Sequence, residues 1–152
     1  MEEQKREDAL AFLKKHSLGS ISSAGEDIRP HSAFVYYWAD DDFSIYFFTK
    51  KNSRKYTAFL KNPEAAFAMA GTDAPHTIQM EGKISIVPRE EQIMKVISAL
   101  TKIVTSSETF FAPLFKAPPG ETVLMRLEPR WIRWADFSFG VPGDEIFYEI
   151  EK

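Results

Sequence analysis

Residues 43–63 read FSIYFFTKKNSRKYTAFLKNP, and this stretch decides the fold class. Five of residues 43–48 are aromatic or β-branched, which is typical of a β-strand. Residues 52–60 change to helical spacing, with Asn52 or Ser53 able to cap the start and Asn62-Pro63 ending the helix. The sequence therefore predicts a strand that leads directly into a short helix.

An aromatic run, residues 30–38, precedes turn residues 40–42, so we expect an antiparallel hairpin over residues 30–49. Helical spacing predicts a helix over residues 2–15. A second long helix is expected to start at residues 88–91, with this apolar stripe: Ile93, Met94, Ile97, Leu100 and Ile103. The remaining predicted segments are strands at 20–24, 65–70, 77–87, 122–134 (interrupted at Pro129) and 145–150, and a helical or irregular stretch that contains Phe110, Phe111, Leu114 and Phe115.

These elements amount to six or seven strands with helices inserted between hairpins. We expect an α+β fold, a closed or partly closed antiparallel β-barrel with inserted helices. Gly82 is expected to mark a bulge or bend in its strand. No repeat, low-complexity tract or linker divides the sequence, so residues 1–152 are predicted to form a single domain.

The composition excludes several classes of protein. The 152 residues include no cysteine, which excludes a disulfide framework, a thiolate zinc site, an iron–sulfur cluster and a catalytic thiol. The net charge of −3 argues against a nucleic-acid binder. No apolar run approaches the ~18 residues that a membrane span needs. The acidic N-terminus lacks the apolar segment of a secretory signal, so a cytoplasmic location is expected.

Residues 49–55, TKKNSRK, are the most informative candidate site, because four of the seven are cationic in an acidic chain. A helix start offers unpaired backbone N–H groups and the positive end of the helix dipole, which together favour a bound anion. Thr49 and Ser53 add hydroxyl groups, and Arg54 and Lys55 add charge, as a phosphate site requires. The alternative is a solvated basic turn in which Ser53 only caps its helix.

The strand at residues 29–38 and its presumed partner at residues 46–48 could form a flat aromatic wall for a planar cofactor. The alternative is an ordinary core strand. Three scattered histidines do not make a metal site, so no metal ligands are assigned, and no catalytic triad, nucleophile elbow or glycine-rich phosphate loop is present. The chemistry is therefore expected from a borrowed cofactor, and catalytic residues stay unassigned. His31 or Tyr36 would be the candidates for moving a proton near it.

The order of these motifs resembles the pyridoxamine 5′-phosphate oxidase-like family of FMN-binding split barrels. The likeness extends from about residue 9 to residue 136, and residues 49–55 followed by Asn62-Pro63 are its most specific part. Residues 46–48, 78–83 and 128–136 complete it. The resemblance implies a mainly antiparallel split β-barrel that binds FMN as a homodimer, with the flavin in a groove between two subunits.

The resemblance also implies roles for individual residues. Those that would hold the FMN phosphate are Thr49, Ser53, Arg54 and Lys55. Those that would line the isoalloxazine or form the groove walls are Ser32, Ala33, Phe34, Phe48 and Phe115. Those that would approach the flavin from the partner chain are Gln79, Phe115 and Trp134.

The function implied is an FMN-dependent oxidoreductase that transfers hydride to or from a small molecule. The C-terminal strand lacks the family's Arg-x-His pair and has Trp134-Ala135-Asp136 instead, which argues against pyridoxamine phosphate as the substrate. Two alternatives stay open from the sequence: a flavin or haem binder without turnover, and a protein that binds a deazaflavin in place of FMN.

Overall fold

The computed structural model describes residues 2–72, 75–106, 120–138 and 146–152. These residues form three α-helices, which are α1 (Glu2–Lys15), α2 (Arg54–Lys61) and α3 (Met94–Ser106), and a 3-10 turn at Arg89–Glu91. They also form eight strands, which are β1 (Leu18–Ala24), β2 (Pro30–Tyr36), β3 (Trp38–Ala39), β4 (Ile45–Lys50), β5 (Glu64–Ala70), β6 (His76–Ile86), β7 (Thr122–Asp136) and β8 (Phe147–Glu149). The predicted helix at residues 2–15 and the strand-to-helix step at residues 43–61 are confirmed.

The strands make one antiparallel sheet in the order β2-β1-β5-β6-β7-β4-β3, with β8 paired to β7. The strands at its two ends, β2 and β3, are separated in the chain by one residue, Tyr37. Because one residue cannot span a flat sheet of seven strands, the sheet must curl until its ends meet. Accordingly, Cα atoms of β2 and β4 come within 8 Å although the two strands do not pair. The predicted α+β split β-barrel is confirmed.

The inside of the curled sheet is filled by alternate side chains of its strands. Ile45 and Phe47 of β4 point inward, while Tyr46 and Phe48 point outward. Tyr37 is fully buried among the inward residues, and its hydroxyl donates to the carbonyl of Leu13 in α1 at 2.7 Å. The core thus joins the N-terminal helix to the corner at which the barrel closes.

The predicted hairpin over residues 30–49 is wrong for most of its length. Only β3 pairs with β4, whereas β2 pairs with β1 along its whole length. The change of partner occurs at Tyr37, whose backbone N–H donates to the carbonyl of Ser17 at 2.8 Å and so leaves the strand ladder. Residues 30–38 are therefore two strands, one at each end of the sheet.

The second predicted long helix also differs from the structure. The 3-10 turn at residues 89–91 stands apart from α3, which begins at Met94. Its buried face is Val96, Leu100 and Val104, while Ile93 and Met94 of the predicted stripe are 56% and 72% exposed. Apolar residues cover more than half of this helix, so their spacing alone did not select the packed side. The predicted stretch at Phe110 to Phe115 lies outside the described residues.

The predicted bulge at Gly82 is confirmed and has a steric cause. The register between β6 and β7 shifts between Glu81 and Gly82, which faces Pro129. A Cβ on Gly82 would overlap the backbone carbonyl of Glu128 and lie 2.8 Å from the Cα of Pro129. Strand β7 therefore continues through Pro129, where the sequence predicts an interruption, because a residue without a side chain faces the proline.

We expect Gly82→Ala to lower the free energy of unfolding by about 3 kcal/mol, because rigid backbone atoms must move to admit the methyl group. Gly25→Ala is the matched control, since its Cβ would meet only Asp27 Oδ1 at 3.5 Å. Urea unfolding of both variants tests the assignment. Equal stability of the two variants would show that the tight approach at Gly82 does not limit stability.

Candidate functional site

The turn between β4 and α2 is held by two hydroxyl groups. Thr49 is 1% exposed, and its Oγ1 lies 2.9 Å from Ser53 Oγ. Ser53 is the N-cap of α2, and its Oγ accepts a hydrogen bond from the backbone N–H of Tyr56 at 3.2 Å. The Ser53 backbone N–H donates to the carbonyl of Lys50. The sequence-predicted residues Thr49 and Ser53 are thus brought together, and they fix the start of the helix.

The same turn leaves donors and charges without partners. The backbone N–H groups of Arg54 and Lys55 occupy the first two helical positions, where no intrahelical acceptor exists. The first turn of α2 carries no acidic residue. Within the described ranges, neither Arg54 nor Lys55 forms an ion pair. Two cations therefore stand at the positive end of a helix dipole, an arrangement that is unfavourable until an anion binds.

Lys55 adds a second energetic cost to this turn. Its side chain is half-buried, and burial lowers the pKa of its ammonium group below the ordinary value. A buried cation without a carboxylate is destabilising, and a bound anion would relieve both the burial and the dipole penalty. Free N–H groups, two hydroxyls and two cations form a donor set that suits a phosphate monoester.

The predicted ring-lining residues Ser32, Ala33 and Phe34 lie on β2, which barrel closure brings close to β4. Ser32 is exposed, and its Oγ lies 2.8 Å from Ser22 Oγ on β1. Ala33 is half-buried, and Phe34 is 67% exposed. The strand thus presents an exposed aromatic side chain and a hydroxyl pair on the outer face of the barrel.

Comparison with known proteins gives the family. The family model described as pyridoxamine 5′-phosphate oxidase matches residues 6–134, which include the whole strand-to-helix turn. The chain belongs to the pyridoxamine 5′-phosphate oxidase family. A search of curated proteins finds no match.

Solved structures share the fold of this family member at low sequence identity. The conserved hypothetical protein Rv2991 from Mycobacterium tuberculosis has a TM-score of 0.69 and 22% identity, covering 90% of this chain and 88% of that one. A pyridoxamine 5′-phosphate oxidase-related, FMN-binding protein from Nostoc punctiforme has a TM-score of 0.60 and 13% identity, covering 97% and 92%. A heme binding protein from Mycobacterium smegmatis has a TM-score of 0.69 and 14% identity, covering 95% and 57%.

Gln79, predicted to act from the partner chain, lies at the end of an exposed row on the outer face of the sheet. The register aligns Phe34 with Ser20, Ser20 with Ala68, and Ala68 with Gln79 across four strands. The side chains between Phe34 and Gln79 are small, so the face is accessible to another surface. The sequence did not predict that Ser20 and Ser22 belong to this face, because a serine in a strand shows no distinctive pattern until the strand register identifies its partners.

The structure places Phe48 and Trp134 away from this row. Phe48 points outward from β4 and packs beneath α3, beside Leu124. Trp134 is 3% exposed, and its ring lies 5.0 Å from Phe12 and 4.8 Å from His76, centroid to centroid. Trp134 is thus a core residue of its own chain. Its predicted role, like that of Phe115 in the undescribed residues, stays a prediction.

The two candidates for proton transfer differ in their surroundings. His31 is half-buried on β2, opposite Ser23 of β1. Tyr36 is buried and packs against Val104 of α3. No helix in the described part of the chain is long and apolar enough to cross a membrane.

Proposed function

We propose that this family member is an FMN-dependent oxidoreductase that exchanges hydride with a small molecule. The observation that carries the proposal is the turn between β4 and α2, where Arg54 and Lys55 stand at a helix start and have no carboxylate partner within the described ranges. A cofactor phosphate supplies the missing charge. The FMN-binding protein of Nostoc punctiforme, which shares the fold, supports the choice of a flavin.

Each residue of the turn has a separate task in this proposal. Arg54 grips the phosphate with its guanidinium, and Lys55 contributes a point charge from a half-buried position. Thr49 and Ser53 hold the turn through their mutual hydrogen bond, and the one hydroxyl proton that this bond does not use is offered to the phosphate. FMN, when bound, accepts or releases hydride at N5 of its ring. The strand carrying Ser32, Ala33 and Phe34 orients that ring, partly through backbone groups.

The substrate is proposed to be a small molecule other than pyridoxamine phosphate. The end of β7 offers Trp134, Ala135 and Asp136 where the family's Arg-x-His pair would stand. Trp134 is buried, and Asp136 Oδ1 lies 3.1 Å from His76 Nε2. Burial raises the pKa of the Asp136 carboxyl, but the hydrogen bonds from Ser138 and the charge of His76 together lower it below the ordinary value. These side chains are committed to packing and pairing within the chain.

A second copy of the chain is proposed to cover the row from Phe34 to Gln79. Phe34 is 67% exposed, and its neighbours Ser20 and Ala68 are small enough to admit a packed surface. Gln79 lies three strands away from Phe34. Pairing of two such faces places Gln79 of one protomer towards the flavin strand of the other, as a homodimer with shared sites requires.

The alternative function is a flavin or haem binder without turnover. The observation that favours it is the similarity in fold to the heme binding protein from Mycobacterium smegmatis. In addition, none of the described residues around the turn is assigned as a catalytic acid or base. A protein that binds the cofactor without turnover would need only the proposed phosphate site and ring-lining strand.

We expect the double variant Arg54→Gln/Lys55→Met to weaken FMN binding about 100-fold, because two charge-assisted hydrogen bonds worth about 1.5 kcal/mol each are lost. Riboflavin lacks the phosphate and should bind both proteins within about threefold. Calorimetric titration of both ligands checks this. The unfolding stability of the ligand-free variant should match or exceed that of the wild type, because an unpaired half-buried cation is removed.

Lys61→Met, at the other end of α2, is the matched control and should leave both affinities unchanged. An equal loss of FMN and riboflavin in the double variant would contradict the phosphate assignment.

We expect Phe34→Asp to convert a dimer to monomers, because the carboxylate of each protomer would be buried against the face of the other without a cationic partner. Phe34→Leu keeps the apolar contact and should stay dimeric. Sedimentation velocity at several protein concentrations distinguishes them. A wild-type protein that sediments as a monomer would refute the homodimer.

We expect NADPH or NADH to bleach the yellow absorbance of the FMN-loaded protein under anaerobic conditions, within a single turnover. A stopped-flow record of this absorbance gives the rate, and free FMN at the same concentration is the control. A rate no faster than that of free FMN with either nucleotide would favour the binder over the enzyme.

A further inference from the structure

A cavity of about 630 Å³ lies on the outer face of the barrel, next to the proposed phosphate turn. Its apolar wall consists of Phe48 on β4, Leu124 on β7 and Val87, which follows β6, and these three side chains belong to one apolar cluster. Phe48 and Leu124 are register partners, so their side chains point to the same side of the sheet. The volume falls within the range of small-molecule sites, which is about 300–1,000 Å³.

Among the described residues, two cations line this cavity and no carboxylate does. Lys51 follows β4, and Arg89 begins the 3-10 turn after β6. Both side chains are exposed, and neither forms an ion pair within residues 2–72, 75–106, 120–138 and 146–152. Cations that share a cleft repel one another and concentrate anions there. Gln92 adds an amide whose nitrogen donates to the carbonyl of Val87 at 3.3 Å.

The cavity and the phosphate turn lie on opposite sides of β4. Thr49 points inward and joins Ser53, whereas Phe48 points outward beneath α3. The backbone N–H of Lys51 donates to the carbonyl of Glu121 at 2.9 Å, which ties the base of this side chain to the β7 side of the turn. A ligand in the cavity would therefore contact Lys51 and not Ser53.

We propose that this cavity binds a small organic anion, with its carboxylate or phosphate group between Lys51 and Arg89 and an aromatic or aliphatic body on the apolar wall. The charged group pairs with two cations that form no ion pair among the described residues, and the body covers Phe48, Leu124 and Val87. The site is separate from the proposed FMN phosphate site and does not depend on the identity of the cofactor.

The test uses 2-naphthoate and 2-naphthamide, which share one apolar body and differ in charge. Ligand-observed NMR on the protein as purified measures both affinities. Naphthoate should bind at least tenfold more tightly than naphthamide, and Lys51→Gln/Arg89→Gln should remove that difference.

Lys102→Gln, an exposed lysine of α3 outside the cavity, is the matched control and should bind naphthoate as the wild type does. Arg54→Gln/Lys55→Met should also keep naphthoate binding, which separates this site from the phosphate turn. The proposal is overturned if the wild type binds both ligands equally or not at all, if Lys51→Gln/Arg89→Gln keeps the preference, or if Arg54→Gln/Lys55→Met loses it.

Discussion

The single residue between β2 and β3 is the constraint on which the barrel depends. Because Tyr37 joins the two strands at opposite ends of the sheet, the sheet can satisfy its hydrogen bonds only by curling. The buried Tyr37 ring fills the core at that corner, and its hydroxyl holds α1 through Leu13. Burial of the hydroxyl raises its pKa far above the ordinary value, so it stays a neutral donor at any physiological pH. The same closure brings the exposed strand β2 near the end of β4.

The turn after β4 combines a rigid backbone with charges that lower stability. Its hydroxyls satisfy each other and the helix cap, so the backbone is rigid without a ligand. Its cations destabilise the turn, because both stand at the positive end of the helix dipole and one of them, Lys55, is half-buried. A fold selected for stability alone would place Asp or Glu in that first turn. The unfavourable charge fits the phosphate that we propose for this turn.

The sequence predicted local structure well and the partners of strands poorly. The strand-to-helix turn was predictable because aromatic alternation, a capping serine and Asn62-Pro63 all lie within one short stretch. The prediction of a hairpin at residues 30–49 was wrong because strands that are close in sequence often pair. At Tyr37 the chain instead passes from β2, which pairs with β1, to β3, which pairs with β4. The predicted buried side of α3 was wrong in part because apolar residues make up more than half of that helix and lie on several of its sides. The row that links Phe34 to Gln79, and the placement of Lys51 and Arg89 along one cavity, depend on register between distant segments, which spacing along the chain does not encode.

The central claim is that the turn from Thr49 to Lys55 holds the phosphate of FMN. Mass spectrometry of the ligand released from the protein purified in its native state tests this most directly. The account predicts one FMN for each chain. Release of haem, of riboflavin without its phosphate, or of no ligand together with failure to take up added FMN would contradict it.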